Sequence, residues 1–262
     1  MLVDSHCHLN MLDLIPFEND LDNLIDDAKA KGIAHILCVG VDLKHAADVL
    51  AIAERYPMVS ASVGIHPSEK NALTATDEEI LAFAQHRKVI AIGEMGLDYY
   101  YNESGHEMMQ QQFRQQIRIA KRLKKPIIVH SRSAQADTIR ILQEENAAVV
   151  RGVMHCFTQS WEMAAQAMEL GFYISFSGIV TFKNANDVQE VAKKVPLEKM
   201  LIETDAPYLT PVPYRGKPNC PQYVQYVAEK IAELHEVTVE EVIAKTGQNF
   251  QNLFGVAIHF NP

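Results

Sequence analysis

Cysteine is scarce in this 262-residue chain, and long apolar runs, a net basic charge and low-complexity segments are missing. Its four cysteines, Cys7, Cys38, Cys156 and Cys220, show no CxxC spacing, which excludes a zinc ribbon and offers no disulfide framework. So sparse a set suits a reducing compartment. No apolar run approaches the roughly 20 residues that cross a bilayer. No basic stretch followed by an apolar one opens the chain, so no signal peptide is expected. The formal charge is −9, which argues against a protein that coats nucleic acid through a broad basic surface. An enzyme that grips a phosphodiester locally is not excluded, because bound cations reverse the sign at the site. No linker rich in Gly, Ser or Pro divides the chain. The one Pro-rich stretch, 207–221, directly follows a strand end and reads as a functional loop. The expectation is a single cytoplasmic domain spanning 1–262, with no membrane and no obligate protein partner.

What is present is an α/β pattern. Short apolar runs recur at 2–6, 34–40, 59–65, 89–94, 126–130, 148–155, 172–176 and 200–205. Most are continuous rather than alternating, as parallel strands covered on both faces require. Helical spacing is expected over 17–31, 106–123, 134–145, 160–170 and 186–194. Eight strands, each followed by a helix or a long loop, predict a TIM-like (β/α)8 barrel, with a doubly wound open sheet as the alternative. The C-terminal part reads as extra helices: 223–234, one opened by the capping pair Thr238 and Glu241, and a short one at 246–254.

The metal-capable residues collect at the strand ends. His6 and His8 lie two apart on the first strand and so point to one face. His66 follows the third strand, Glu94 ends the fourth, His130 the fifth and His155 the sixth; Glu203 and Asp205 end the eighth. In a parallel barrel these ends share the face that carries active sites. A lone strand-end histidine often just bonds a loop carbonyl. Several imidazoles and carboxylates converging at one mouth would instead leave uncompensated charge, which divalent cations resolve. Mixed His and carboxylate ligation suits zinc or manganese, and magnesium prefers the oxygens. One open catalytic zinc takes about three protein ligands. His6, His8, Glu94, His130, His155 and Asp205 are too many for that and suit two divalent metals bridged by Glu94.

Six motifs carry a resemblance: Asp4-Ser5-His6-Cys7-His8-Leu9, Gly64-Ile65-His66-Pro67, Gly93-Glu94-Met95-Gly96-Leu97-Asp98-Tyr99-Tyr100, Ile128-Val129-His130-Ser131-Arg132, His155-Cys156-Phe157 and Glu203-Thr204-Asp205-Ala206-Pro207-Tyr208-Leu209. Together they resemble the TatD family of metal-dependent deoxyribonucleases in the amidohydrolase superfamily. The loop Arg215-Gly216-Lys217-Pro218-Asn219 extends the similarity. The resemblance implies a TIM-like barrel, DNA as substrate (single strands or 3′ ends, with RNA in addition), 3′–5′ exonuclease action, and metal ligation by the six residues named above. Two departures lie in loops beside the site and bear on substrate preference. Thr158-Gln159-Ser160 stands where similar proteins usually have an early Gly, and Cys220 where they often have an acidic residue.

The expected chemistry is attack by a water made acidic between two cations, with Asp205 taking its proton and Glu94 bridging. Arg132 and Arg215 are candidates for phosphate contact. Lys217 is as well read as a solvated charge. Tyr99, Tyr100, Tyr101 and Phe157 border the mouth and could stack bases. His66, Asp98 and Glu203 could orient the ligands from behind. Cys7 points away from its neighbours on the strand and reads as packed. The alternative within enzymes is an amide, lactone or phosphotriester hydrolase. Many of those bridge their metals with a carboxylated lysine on the fourth strand, whereas Lys88 lies at that strand's far end. A metal-binding scaffold without catalysis predicts a missing ligand, and none of the six is missing.

Overall fold

The structure is a computed structural model that describes residues 1–69, 75–100 and 104–258. Eight strands form one sheet: β1 (Leu2–Cys7), β2 (Ile33–Cys38), β3 (Val59–Val63), β4 (Val89–Asp98), β5 (Ile127–Arg132), β6 (Gly152–Met154), β7 (Tyr173–Phe176) and β8 (Met200–Ile202). They neighbour one another in chain order, and every pair is parallel. The ring is joined by the segment after β8. Cys7 bridges Ala206, Asp205 N–H donates to the His6 carbonyl at 2.9 Å, and His8 N–H donates to the Ala206 carbonyl at 2.8 Å. Sequential order with first and last strands joined is the (β/α)8 arrangement, and it rules out the open doubly wound sheet.

Among the described residues nine α-helices surround the sheet: α1 (Leu21–Ala30), α2 (Ala46–Arg55), α3 (Asp77–Ala84), α4 (His106–Leu123), α5 (Gln135–Glu144), α6 (Trp161–Glu169), α7 (Asn186–Lys194), α8 (Val224–His235) and α9 (Val239–Phe254). Their inward faces follow the helical period. On α4, Met109, Phe113, Ile117 and Ala120 are all buried. Helix α1 starts later than the apolar pattern suggests, because Asp20 accepts a hydrogen bond from Asp22 N–H and caps it there.

Two helices stand where sequence spacing gave no expectation. Helix α2 buries only Ala46, Val49 and Ala53, side chains too small to mark an apolar face. Helix α3 opens with a complete capping box between Thr76 and Glu79, a signal that is readable in the chain. The sixth strand is shorter than its apolar run, since Arg151 takes a left-handed turn (φ 59°) just before it. The last helix is also continuous where a separate short one was expected. Gly247 lies inside it rather than breaking it, because a Cβ there would meet the Met1 carbonyl oxygen at 2.4 Å. A helical glycine costs about 0.5–1 kcal/mol relative to alanine, and here it lets α9 close on the chain's first residue.

That closure shapes the barrel interior. Phe250, Leu253 and Phe254 of α9 belong to one buried apolar cluster with Val3, Leu37, Ala91, Ile128, Val153 and Leu201 of the strands. One end of the barrel is therefore an apolar plug. The described helices include none long and apolar enough to cross a membrane.

Candidate metal centre

At the opposite end, the strand ends deliver buried polar side chains into a cavity of about 640 Å³. The local backbone explains the crowding. Strand β4 runs on past Glu94 to Asp98, and its register against β5 shifts between Ile92 and Met95. Gly96 (φ 140°) allows the close approach, since a Cβ on it would meet the His130 carbonyl oxygen at 2.0 Å. Asp205 sits at φ 57°, a left-handed conformation that aspartate tolerates better than β-branched residues do. The turn it makes ends β8 and leads the chain to β1.

Glu94, 3% exposed, is the centre of the cluster, and its two oxygens face different partners. Oε2 lies 3.3 Å from His6 Nε2 and 4.0 Å from His8 Nε2. Oε1 lies 2.7 Å from His155 Nε2, 3.1 Å from His130 Nδ1 and 3.3 Å from His66 Nε2. Asp205 Oδ1 completes the first group, 3.6 Å from His6 Nε2 and 3.4 Å from His8 Nε2. The two Nε2 atoms of His6 and His8 approach to 3.3 Å. His66 thus faces Glu94 directly, alongside His130, rather than standing behind the ligands.

Behind the ring nitrogens stand acceptors that fix their orientation. His8 Nδ1 lies 2.9 Å from the Val39 carbonyl oxygen, so that nitrogen carries the proton and Nε2 turns its lone pair inward. His155 Nδ1 lies 3.1 Å from Glu203 Oε1, which also accepts from Cys156 N–H. His130 Nε2 lies 3.1 Å from Asp98 Oδ2, while Asp98 Oδ1 accepts from Tyr100 N–H. Such outer acceptors are the usual support of metal-ligating histidines. His6 Nδ1 and Glu203 Oε2 are buried without a hydrogen-bond partner among the described residues, and ligand atoms of His6, His155 and Glu203 lie within 4.8 Å of one another. The groups His6, His8, Asp205 and His66, Glu94, His130 meet the same spacing. This donor set fits divalent cations: imidazoles and carboxylates converge, and His8, His130 and His155 are each held from behind.

The surrounding carboxylates shift His155, His130 and His8 toward the charged form. Burial pushes the His155 imidazole down, yet Glu94 and Glu203 outweigh it and hold it well above the usual range. Burial pushes the Glu94 carboxyl up, but His155 and His66, with hydrogen bonds from His130 and His155, keep it well below the carboxylate range. His6 moves down, through burial and the charge on His155.

Arg132 lines the cavity, with its guanidinium 4.0 Å above the Tyr100 ring. Arg215 is exposed and stacks 3.7 Å over Phe182, and it does not line the cavity; Lys217 lies 5.4 Å from the Tyr214 ring. Of the aromatic candidates, Phe157 is 3% exposed and packed in the core, which removes it as a stacking surface. Tyr99 stacks on His106 and donates its hydroxyl to Asp137. Tyr101 lies outside the described residues. The aromatic that does border the cavity is Tyr208, half exposed and edge-on to His8, and its place directly after Pro207 was the available signal. Sequence reading also missed Asp4. Fully buried, it accepts from Thr204 N–H, Thr204 Oγ1–H and His6 N–H, lashing β1 to the chain beside Asp205. Cys7 is fully buried and packed, as expected from its direction on β1. At the departures noted above, Gln159 donates to the Ser131 carbonyl and Cys220 is buried.

Comparison with known proteins places the chain in a family. The model of the family described as TatD related DNase matches residues 3–255. The chain is 45% identical over 259 residues to the uncharacterized metal-dependent hydrolase YabD of Bacillus subtilis, covering 98% of this chain and 100% of that one. It is 33% identical over 247 residues to the 3'-5' ssDNA/RNA exonuclease TatD of Escherichia fergusonii, covering 92% and 95%. The crystal structure of YJJV, a TatD homolog from Escherichia coli, superposes with a TM-score of 0.88 at 29% identity, covering 98% of each chain. The chain belongs to the TatD related DNase family, with relatives named as metal-dependent hydrolases.

Proposed function

We propose that the chain is a metal-dependent phosphodiesterase that removes nucleotides from the 3′ ends of single-stranded DNA, and of RNA in addition. One observation carries the reading: Glu94 turns one carboxylate oxygen to His6 and His8 and the other to His130 and His155. His6, His8 and Asp205 would hold one divalent cation and His130 and His155 the other, with Glu94 between them and His66 beside the second group. Magnesium, manganese and zinc are the candidates. When bound, such a pair acidifies water toward neutral pH and neutralises charge on phosphoryl oxygens.

The chain's own residues supply the rest. Asp205 lines the cavity and is the most exposed of the four carboxylates around the centre, so it is the group placed to accept the proton of an attacking water. Arg132 presents a planar fork to a non-bridging phosphate oxygen. Glu203, Asp98 and the Val39 carbonyl keep His155, His130 and His8 from rotating as charge moves. Tyr208 walls the mouth and offers a ring face to a base. The named exonuclease among the relatives supports the choice of substrate.

The test is to strip the protein of metal, reload it separately with magnesium, manganese and zinc, and follow 5′-labelled single-stranded oligonucleotides. Stepwise shortening from the 3′ end, abolished by EDTA, is expected. Intact DNA and RNA with every metal, together with turnover of a lactone, amide or phosphotriester, would overturn the reading in favour of small-molecule hydrolysis.

A further inference from the structure

Asn219 lies outside the metal centre, in the loop that follows the eighth strand, and is 3% exposed. Its Nδ2 donates to the Thr204 carbonyl at 3.0 Å and also to the Tyr208 carbonyl, and its Oδ1 accepts from Cys220 N–H at 2.9 Å. The two carbonyls bracket Asp205. Thr204 is held from its other side by Asp4, through both its N–H and its hydroxyl. Asp205 itself keeps a left-handed backbone (φ 57°), and a second such residue, Leu209 (φ 58°), follows Tyr208. Non-glycine residues persist in that region only where the surroundings over-determine them.

The chemistry of the site demands a carboxamide. Only Asn or Gln offers two N–H donors and an acceptor in one plane. An aspartate in this place would turn lone pairs toward two carbonyl oxygens, and an alanine would leave the buried Thr204 carbonyl without this donor.

We propose that Asn219 is a positioning residue for Asp205: by clamping the carbonyls on either side of it, Asn219 sets where the Asp205 carboxylate stands against His6 and His8. The same clamp holds Tyr208, whose ring is edge-on to His8 with centroids 6.1 Å apart. The inference rests on reading Asp205 as a metal ligand and proton acceptor.

A double-mutant cycle on metal affinity tests it. Zinc chloride is titrated calorimetrically into metal-free full-length protein, into Asn219→Ala, into Asp205→Ala, and into the double variant. Asn219→Ala should weaken zinc binding about tenfold, the lower end of what supporting residues cost. It should add nothing when Asp205 is already alanine. With bis(p-nitrophenyl) phosphate as a small phosphodiester, kcat should fall while KM stays put. Asn219→Ser, whose hydroxyl can serve one carbonyl, should give an intermediate loss, and it takes the place of the alanine variant if that one does not fold. Unchanged zinc affinity overturns the proposal, as does an equal loss with and without Asp205, since a merely structural residue would act in both backgrounds. An unmodified chain that binds zinc but cleaves no phosphodiester overturns the functional reading, and the zinc cycle still decides Asn219. If the unmodified chain binds no zinc, the cycle is run with manganese or magnesium, and a chain that binds none of the three overturns both.

Discussion

Two buried histidines, one at each end of the barrel, are treated in opposite ways. His35 lies on β2 toward the plugged end, 4% exposed, with Nε2 2.9 Å from Ser60 Oγ and its ring 5.5 Å from Phe250. Burial, helped by the charge of Lys88, pushes it down to about 4, so it is neutral at physiological pH. His155 is as deeply buried, yet Glu94 and Glu203 hold it well above the ordinary range. Burial disfavours the charged form in both cases. What differs is whether carboxylates face the ring. The plugged end excludes charge and gains cohesion; the open end gathers opposite charges that would be costly alone. Cohesion and chemistry are thereby separated along one barrel axis, and each end can be broken without the other.

The largest expected effect is at the open end. Replacing Asp205 by alanine removes both a ligand and the proton acceptor, so kcat on a single-stranded oligonucleotide should fall by about two to four orders of magnitude. Some thermal stability of the metal-free variant should be lost as well, since the carboxylate facing His6 and His8 is gone and alanine is strained at φ 57°. A variant with full activity would remove Asp205 from the chemistry. At the other end Phe250→Ala should do the reverse. Phe250 is fully buried in an apolar cluster with side chains of the strands. Its truncation should cost about 3–5 kcal/mol of stability in urea denaturation, while kcat of the folded fraction at low temperature stays within a factor of two or so of the parent. A large kcat loss at full folding would mean that the two ends are coupled.

Between these extremes lies Glu203, which touches no solvent and contacts the centre through His155. Glu203→Gln keeps the shape and removes the charge behind the ring. Metal affinity should drop about 10–100-fold, read by competition with a chelating dye. Unchanged affinity would show that Glu203 only fills space.

How much of this was readable in the chain also divides by end. The open end was legible because its residues are chemically rare and sit at strand termini. His6, His8, Glu94, His130, His155 and Asp205 come together as the strand pattern implies. Their backing by Asp98 and Glu203 was legible too, since both belong to the same motifs. The inward turn of His66 was not, because it depends on the close approach of Gly64 to Gly93, where a Cβ would meet backbone at 2.4 Å. Asp4 and Asn219 were invisible as actors: each works on backbone groups about 200 and 15 residues away, and no local pattern encodes such a partner. The plugged end was legible only as helix content. That 239–254 is one helix lying across the strand starts depends on a glycine that reads as a break.

The smallest expected effect sharpens the contrast itself. An unfolded histidine takes its proton near pH 6.5, whereas folded His35 does so only near 4. Between those values the unfolded chain binds more protons, so stability rises with pH across the window and is lost as pH falls through it. Above 6.5 His35 adds no slope. Its share of the acid sensitivity is about 1.4 kcal/mol per pH unit. His35→Gln retains a partner for Ser60 and has nothing to protonate, so its stability should fall less steeply than the parent's between pH 6.5 and 4.5. Urea denaturation of both metal-free proteins at three pH values measures the difference. At His155 the sign is opposite: a raised imidazole gives stability that is complete below its unfolded value and lost as pH rises through the folded one. Adding a divalent cation should flatten that alkaline loss and leave the acid slope from His35 untouched, because only one of the two rings faces carboxylates. Identical pH profiles for parent and His35→Gln would mean that His35 is protonated in the folded chain, and that the plugged end tolerates a charge its surroundings do not compensate.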